Sequence, residues 1–324
     1  MKKSIGHFGK LPITAWIGLL TFALSTGGLI AHVEPFYTWF YCFSWWSYIL
    51  VIDGMNRAME EESLLIDHTQ DFFYVAFCSV GVWLIFELFN LALKNWHYIN
   101  VPRNLPIRWL GYFVAYATVL PGIFETATFL KNIGLFQKLE KGKKWQPGRR
   151  WKLWFVVLGF ACLVLPVVLP QYFFPLVWLG FVFFLEPLNI SEGQPSLVRE
   201  AMRGSWRELG LLLVAGAICG FLWELWNYWA GGKWIYTVPW VGNIKLFEMP
   251  VLGFLGFPPF AVECYVMMTS LFLFRDKLVG GSGSESTGRH YRRRLVGIVS
   301  IMVAMCLYCV VFSLIDKYTV ISFR

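Results

Sequence analysis

Long apolar segments separated by short polar ones dominate the chain. Each is roughly 18 to 25 residues long, the length at which a helix crosses a hydrocarbon core about 30 Å thick. The pattern predicts an all-α integral membrane protein with about nine transmembrane helices. We place them at 11–31, 36–54, 71–93, 107–130, 152–171, 173–190, 208–230, 246–274 and 296–316.

Prolines interrupt two parts of this pattern. The fifth and sixth segments are short and meet at Pro170-Gln171. The eighth contains Pro250, Pro258 and Pro259, and an internal proline removes a helix hydrogen bond and clashes with the preceding turn. We therefore expect 246–274 to begin as a loop or broken helix and to become regular after Pro259.

The chain also contains an internal repeat. The paired positions are Asp53 and Glu186, Asn56 and Asn189, Ser63 and Ser196, Glu87 and Glu224, Asn90 and Asn227, Trp96 and Trp234, Tyr98 and Tyr236, Pro121 and Pro259, and Glu125 and Glu263. Each copy has an even number of segments, which predicts two parallel four-helix units followed by one C-terminal helix. The predicted divisions are a first unit at 1–131, a basic cytoplasmic loop at 132–151, a second unit at 152–274, a cytoplasmic linker at 275–295, and a C-terminal helix with a short tail at 296–324.

Acid and amide side chains recur in these units at a spacing of three residues, which places them on one helix face. The pairs are Asp53 with Asn56, Glu87 with Asn90, Glu186 with Asn189, and Glu224 with Asn227, and Glu125 and Glu263 stand alone. A charged carboxyl inside a bilayer is costly, so we expect a neutral acid that can donate a proton, with the amide orienting it. Alternatively, the pairs only join helices by hydrogen bonds.

Composition and charge agree with a membrane protein. Hydrophobic residues make up 57% of the chain and charged residues 15%, against about 25% charged in soluble domains. Of the 28 Lys and Arg, 21 fall on one side of the predicted bilayer and 7 on the other. This bias explains the net charge of +8 without a nucleic-acid partner, and it places the N-terminus in the cytoplasm, the C-terminus outside and the chain in the cell (inner) membrane. The 7 Cys lie in apolar segments, and no metal or cofactor motif is evident.

The second unit carries the string Glu224-x7-Gly232-x-Trp234-x-Tyr236-x11-Glu248. This string resembles the membrane lycopene cyclases of the heterodimeric type and the related carotenoid hydratases, mainly over residues 220–265. The family's later acid is usually doubled, whereas Met249 follows Glu248 here. The resemblance implies an isoprenoid substrate whose double bond is protonated by an intramembrane carboxylic acid.

We therefore predict one site, biased to the second unit. The predicted catalytic residues are Glu224, Glu248 and Asn227, and the predicted substrate-binding residues are Trp223, Trp226, Trp234, Tyr236, Glu87 and Asn90. Two alternatives stay open: a proton- or cation-coupled transporter or channel, and a non-catalytic scaffold. A lipid-sized cavity at Glu224 favours the enzyme, a water-filled path through Glu87 and Glu125 favours transport, and a solid core favours the scaffold. The sequence leaves the oligomeric state open.

Overall fold

A computed structural model describes residues 10–60, 62–240, 242, 244–279 and 287–322. The α-helices are α1 Ile13–Ile30, α2 Phe40–Glu60, α3 Thr69–Leu93, α4 Leu105–Tyr116, α5 Val119–Asn132, α6 Trp151–Val168, α7 Pro170–Phe173, α8 Gly180–Ser191, α9 Leu197–Arg203, α10 Arg207–Trp229, α11 Phe257–Val279 and α12 Thr287–Tyr318. The strands are β1 Trp96–Ile99, β2 Lys233–Tyr236, β3 Lys245–Leu246 and β4 Met249–Pro250, and 3-10 turns cover Gln137–Lys141, Phe174–Trp178 and Val251–Gly256. The predicted linker 275–295 lies partly outside the described residues, because its Gly/Ser part, 280–286, is not among them.

Helices dominate, as predicted for an all-α chain. Among the described residues, eight helical segments are long and apolar enough to cross a membrane: Ile13–Ile30, Thr69–Leu93, Leu105–Asn132, Trp151–Val168, Pro170–Ser191, Arg207–Trp229, Val251–Leu278 and Leu295–Tyr318. They coincide with eight of the predicted segments. The remaining one, 36–54, overlaps α2, which begins four residues later and ends six residues later. This helix of 21 residues is less apolar because it carries residues such as Asp53, Asn56 and Arg57.

Prolines explain the breaks between these helices. The predicted fourth segment divides into α4 and α5 at Ala117 and Thr118, because Pro121 has no N–H to bond the Ala117 carbonyl. In the eighth segment, α11 begins at Phe257 and holds both following prolines in its first turn, where a missing N–H costs nothing. The prediction of a broken start to this segment is confirmed.

The core lies where α2, α3, α5, α10 and α11 pack together, and α1, α6 and α12 lie at its periphery. The peripheral helices expose large apolar side chains over most of their length. Examples are Trp16 and Leu20 of α1, Trp154 and Phe160 of α6, and Met302 of α12. Apolar surface of this extent is far larger than a water-exposed surface normally presents.

A small antiparallel sheet joins the ends of α3 and α10. β1 follows α3, β2 follows α10, and the register pairs Trp96 with Tyr236, His97 with Ile235, Tyr98 with Trp234, and Ile99 with Lys233. The segment after α12 bonds to the other edge of β1, since the Tyr98 N–H donates to the Thr319 carbonyl at 3.0 Å and the Ile321 N–H donates to the Tyr98 carbonyl at 3.0 Å. We call this end of the bundle the strand end.

Candidate functional site

Glu224 is fully buried in the last turns of α10, below the strand end. Its Oε1 accepts a hydrogen bond from the Tyr236 hydroxyl at 2.8 Å. Its Oε2 is buried and has no hydrogen-bond partner among the described residues, and the same holds for the indole nitrogen of Trp234. An oxygen in this position is suited to carry a proton that it can give to a ligand.

Glu87 occupies the corresponding position in α3, but it has more hydrogen-bond partners. Its Oε1 accepts from the Trp83 indole at 2.9 Å, from the Trp96 indole at 3.1 Å and from the Tyr98 hydroxyl at 2.5 Å. The Tyr98 hydroxyl in turn accepts from the Tyr116 hydroxyl at 3.0 Å. Burial raises the pKa of both Tyr98 and Tyr236 well above the ordinary tyrosine value, so both phenols keep their protons and act as donors.

The amides next to these acids hold the strands. Asn227 accepts from the Trp234 N–H at 3.0 Å and donates to the Trp234 carbonyl at 3.0 Å. Asn90 accepts from the Trp96 N–H at 3.2 Å and donates to the Trp96 carbonyl at 2.9 Å. The expectation that the amide orients the acid three residues earlier is therefore wrong. The strand passes directly over the helix end and presents unpaired backbone groups to the amide.

The two other acid–amide pairs also avoid direct contact between acid and amide. Asp53 accepts from the Ser63 hydroxyl at 2.6 Å, and Glu186 accepts from the Ser196 hydroxyl at 2.5 Å. Asn56 instead donates to the Glu125 carboxyl at 2.7 Å, and Asn189 donates to the Val266 carbonyl at 3.0 Å. Glu263 accepts from the Phe181 N–H at 2.7 Å. These polar contacts join helices and turns, and none of the six predicted secondary residues lines a described cavity.

A cavity with a volume of about 850 Å³, including the space at its open side, lies between the two halves of the chain near the strand end. Its only buried carboxyl among the described lining residues is that of Glu224. The aromatic lining consists of Trp39, Tyr41, Trp83, Tyr98, Tyr112, Tyr116, Trp223, Trp234, Tyr236 and Phe257. The space inside it that the centre of a water-sized sphere can occupy is about 100 Å³, and the lining is mainly apolar, as ligand sites are.

The aromatic side chains form a connected wall. The rings of Tyr41 and Trp234 meet edge to face with centroids 5.0 Å apart, and the rings of Trp223 and Phe257 lie 5.7 Å apart. Trp223 also approaches Trp83 of the other half, at 6.5 Å. Aromatic faces attract positive charge, so this wall suits an apolar ligand or one that becomes cationic.

Two cations complete the lining, and each is paired. Lys233 lies 2.8 Å from the Glu248 carboxylate, and Arg108 bonds both oxygens of Asp316, at 2.7 and 2.8 Å. Glu248 therefore does not line the cavity itself, but it forms an ion pair with Lys233, which does. Of the predicted residues, Glu224, Trp223, Trp234 and Tyr236 line the cavity, whereas Glu248, Asn227, Trp226, Glu87 and Asn90 do not.

Several lining residues are not among the predicted site residues. Tyr98 could have been chosen, because it pairs with Tyr236 in the repeat. Trp83, Tyr112, Tyr116 and Arg108 have no such signal, because the second half has other residues at their places and only the fold brings them to the cavity.

In the part of the chain that the structure describes, no group of three or more His, Cys, Asp or Glu side chains could hold a metal ion. Among the described residues, the cavity lining contains one buried acid, several phenols and indoles, and two paired cations. Comparison with known proteins finds no matching family model, no matching characterised protein and no matching solved structure.

Proposed function

We propose that the chain is a multi-pass protein of the cell membrane, with its N-terminus in the cytoplasm and the strand end at the outer leaflet. The eight apolar helical segments and the exposed apolar faces of the peripheral helices support insertion. The charge bias supports the orientation. Cysteines introduced in 131–152 and 275–295 should resist a membrane-impermeant reagent added to intact cells, and those in 231–245 should react. Labelling of 131–152 would contradict the orientation.

We also propose that the chain is built from two four-helix units related by a pseudo-two-fold axis. The β1–β2 register supports it: Trp96 pairs with Tyr236, and their repeat partners, Trp234 and Tyr98, pair with each other. An interface between equivalent elements has this reciprocal pattern. The bonds of Asn90 and Asn227 to the strand backbones, and those of Asp53 and Glu186 to serine hydroxyls, follow the same correspondence.

The central proposal is enzymatic. The cavity would bind an isoprenoid or another unsaturated lipid, and Glu224 would protonate one of its double bonds. The observation that carries this proposal is the buried Glu224 carboxyl, with one partnered oxygen and one unpartnered oxygen, in the wall of an aromatic cavity. Alkene protonation needs a positioned acid in a dry site, and the aromatic faces stabilise the carbocation that forms. Glu248 would set the position of Lys233 rather than donate a proton.

The lipid that co-purifies with the protein tests this proposal. Glu224→Gln keeps the acceptor for the Tyr236 hydroxyl and removes the proton, so the variant should fold normally and retain unreacted substrate. Mass spectrometry should find an unsaturated lipid on the variant, and on the wild type a product that is isomeric with it or heavier by one water. Glu263→Gln is the matched control, because Glu263 is equally buried and lies outside the cavity.

The outcomes separate the competing functions. Identical lipids in the same chemical state on wild type and Glu224→Gln would contradict catalysis by this acid. Proton-coupled uptake of a solute into vesicles, lost in Glu224→Gln, would instead favour a transporter. If Glu224→Gln and Glu248→Gln both behave like the wild type in the lipid analysis and in the uptake assay, the non-catalytic scaffold is the hypothesis that remains.

A further inference from the structure

Glu87 and Glu224 occupy equivalent places but have different hydrogen-bond environments. One oxygen of Glu87 accepts from three donors, Trp83, Trp96 and Tyr98, whereas among the described residues Tyr236 donates within hydrogen-bond distance to Glu224, and the second oxygen of each acid has no such partner there. Several donors on one carboxyl compensate the charge of the ionised form. Two carboxyls held in unlike environments are the usual basis for a division into acid and base. The three donors favour the ionised form of Glu87, which is the form that can accept a proton, whereas Glu224 lines the cavity and is placed to give its proton there.

Glu87 does not line the cavity, but it reaches the cavity through one side chain. The Tyr98 hydroxyl lies 2.5 Å from the Glu87 oxygen, and Tyr98 is a lining residue. The hydroxyl of Tyr116, another lining residue, donates to the Tyr98 oxygen at 3.0 Å and fixes its orientation. A phenol held between a carboxylate and the cavity can receive a proton on its oxygen while it passes its own proton on.

We propose that Tyr98, backed by Glu87, removes a proton from the carbocation that Glu224 generates, so that the enzyme isomerises its lipid by ring closure or by a double-bond shift. This inference rests on the proposed function and assigns its reaction class. Tyr98 is the group that contacts the substrate, and Glu87 acts through it.

The electrons and protons balance without a further reactant. The π electrons of one double bond form a C–H bond with the Glu224 proton and leave a cation on the neighbouring carbon. A second double bond of the same molecule can attack that cation, which closes a ring and moves the charge. A C–H bond beside the cation then breaks, its electrons form a new double bond, its proton goes to the Tyr98 oxygen, and the Tyr98 proton goes to Glu87. After product release, Glu87 passes its proton back to Tyr98, the Tyr98 oxygen releases its extra proton to water, and Glu224 takes one proton up from water.

Two variants distinguish proton removal by Tyr98 and Glu87 from proton donation by Glu224. Glu87→Gln keeps an oxygen for the three donors and removes the proton acceptor. Tyr98→Phe keeps the ring and the Trp83 and Trp96 bonds to Glu87, and removes the relay. Native membranes that carry each variant are moved into D₂O, and their apolar lipids are analysed by mass spectrometry. Glu263→Gln is the control for a buried acid that lies outside the cavity.

We expect both variants to form the isomerised product at least roughly 100-fold more slowly, the effect of removing a positioned proton-transfer group. Protonation by Glu224 should continue, so deuterium should appear on carbon in recovered substrate or in a product quenched by water. Normal isomerisation in both variants would overturn the inference and leave the proposed function standing. A parallel loss of product and of label would also overturn it, because it would reveal a structural role. If wild-type membranes label no lipid, the proposed function fails first.

Discussion

Removal of the Asp316 carboxylate should destabilise the protein strongly, because this group anchors α12 to the cavity wall. Asp316 accepts two hydrogen bonds from Arg108, one from the Trp109 indole at 2.9 Å and one from the Tyr112 hydroxyl at 2.9 Å. The side chains of Arg108 and Asp316 are only 8% and 17% exposed. Loss of one partner from a buried ion pair leaves an uncompensated charge, which costs about 3–5 kcal/mol. We predict that loss for Asp316→Ala.

The free energy of unfolding can be measured by titrating purified protein in mixed micelles with SDS. The double variant Arg108→Ala, Asp316→Ala should lose less free energy of unfolding than its two single variants together, by about 1–3 kcal/mol. The reason is that each single variant leaves one buried charge without its ion-pair partner, and the second substitution removes that charge. Glu200→Ala is the matched control, since Glu200 forms an exposed ion pair with Arg203 and its loss should have little effect. An Asp316→Ala cost below about 1 kcal/mol, or strict additivity in the double variant, would refute the reasoning.

Three other predictions concern the cavity and the strand end. Ala115→Phe places a ring inside the cavity that Ala115 lines, so the purified variant should lose the lipid that we propose binds there while it stays folded in size-exclusion chromatography. Burial and the positive charge of Lys245 lower the pKa of His97, so the Lys245→Ala variant should show a higher His97 pKa in an NMR titration. Because the folded chain holds the His97 proton less strongly than the unfolded chain does, the free energy of unfolding should fall as the pH drops through about 6.5. Asn227→Ala leaves two backbone groups of β2 unpaired and should cost about 1–3 kcal/mol in the SDS titration. Asn90→Ala leaves three backbone groups unpaired and should cost at least as much, and a negligible cost for either variant would contradict this role.

The helices were largely predictable, because apolar length is a local property of the sequence. The predicted segment 71–93 falls within α3, and the predicted broken start of 246–274 matches the turns before α11. The segment 36–54 was harder, since α2 crosses the core and carries the polar residues that pack there. The break at Thr118 follows from Pro121, and the predicted segment 107–130 did not include this break.

The site was predictable only in part. Periodicity identified Glu224 as an intramembrane acid, and Trp223, Trp234 and Tyr236 near it do line the cavity. The role of Asn227 could not be predicted, because its partner is a strand whose position depends on pairing with the other half. For the same reason Arg108 and Asp316, 208 residues apart, carry no local sign of their contact.

The most direct test of proton donation by Glu224 is the transfer of deuterium to carbon. Native membranes incubated in D₂O should yield a lipid with deuterium in a C–H bond that does not exchange back in ordinary water. The same lipid should be labelled in Glu263→Gln membranes and at least roughly 100-fold more slowly in Glu224→Gln membranes. Equal labelling in wild type and Glu224→Gln, or no labelled lipid in the wild type, would contradict the account.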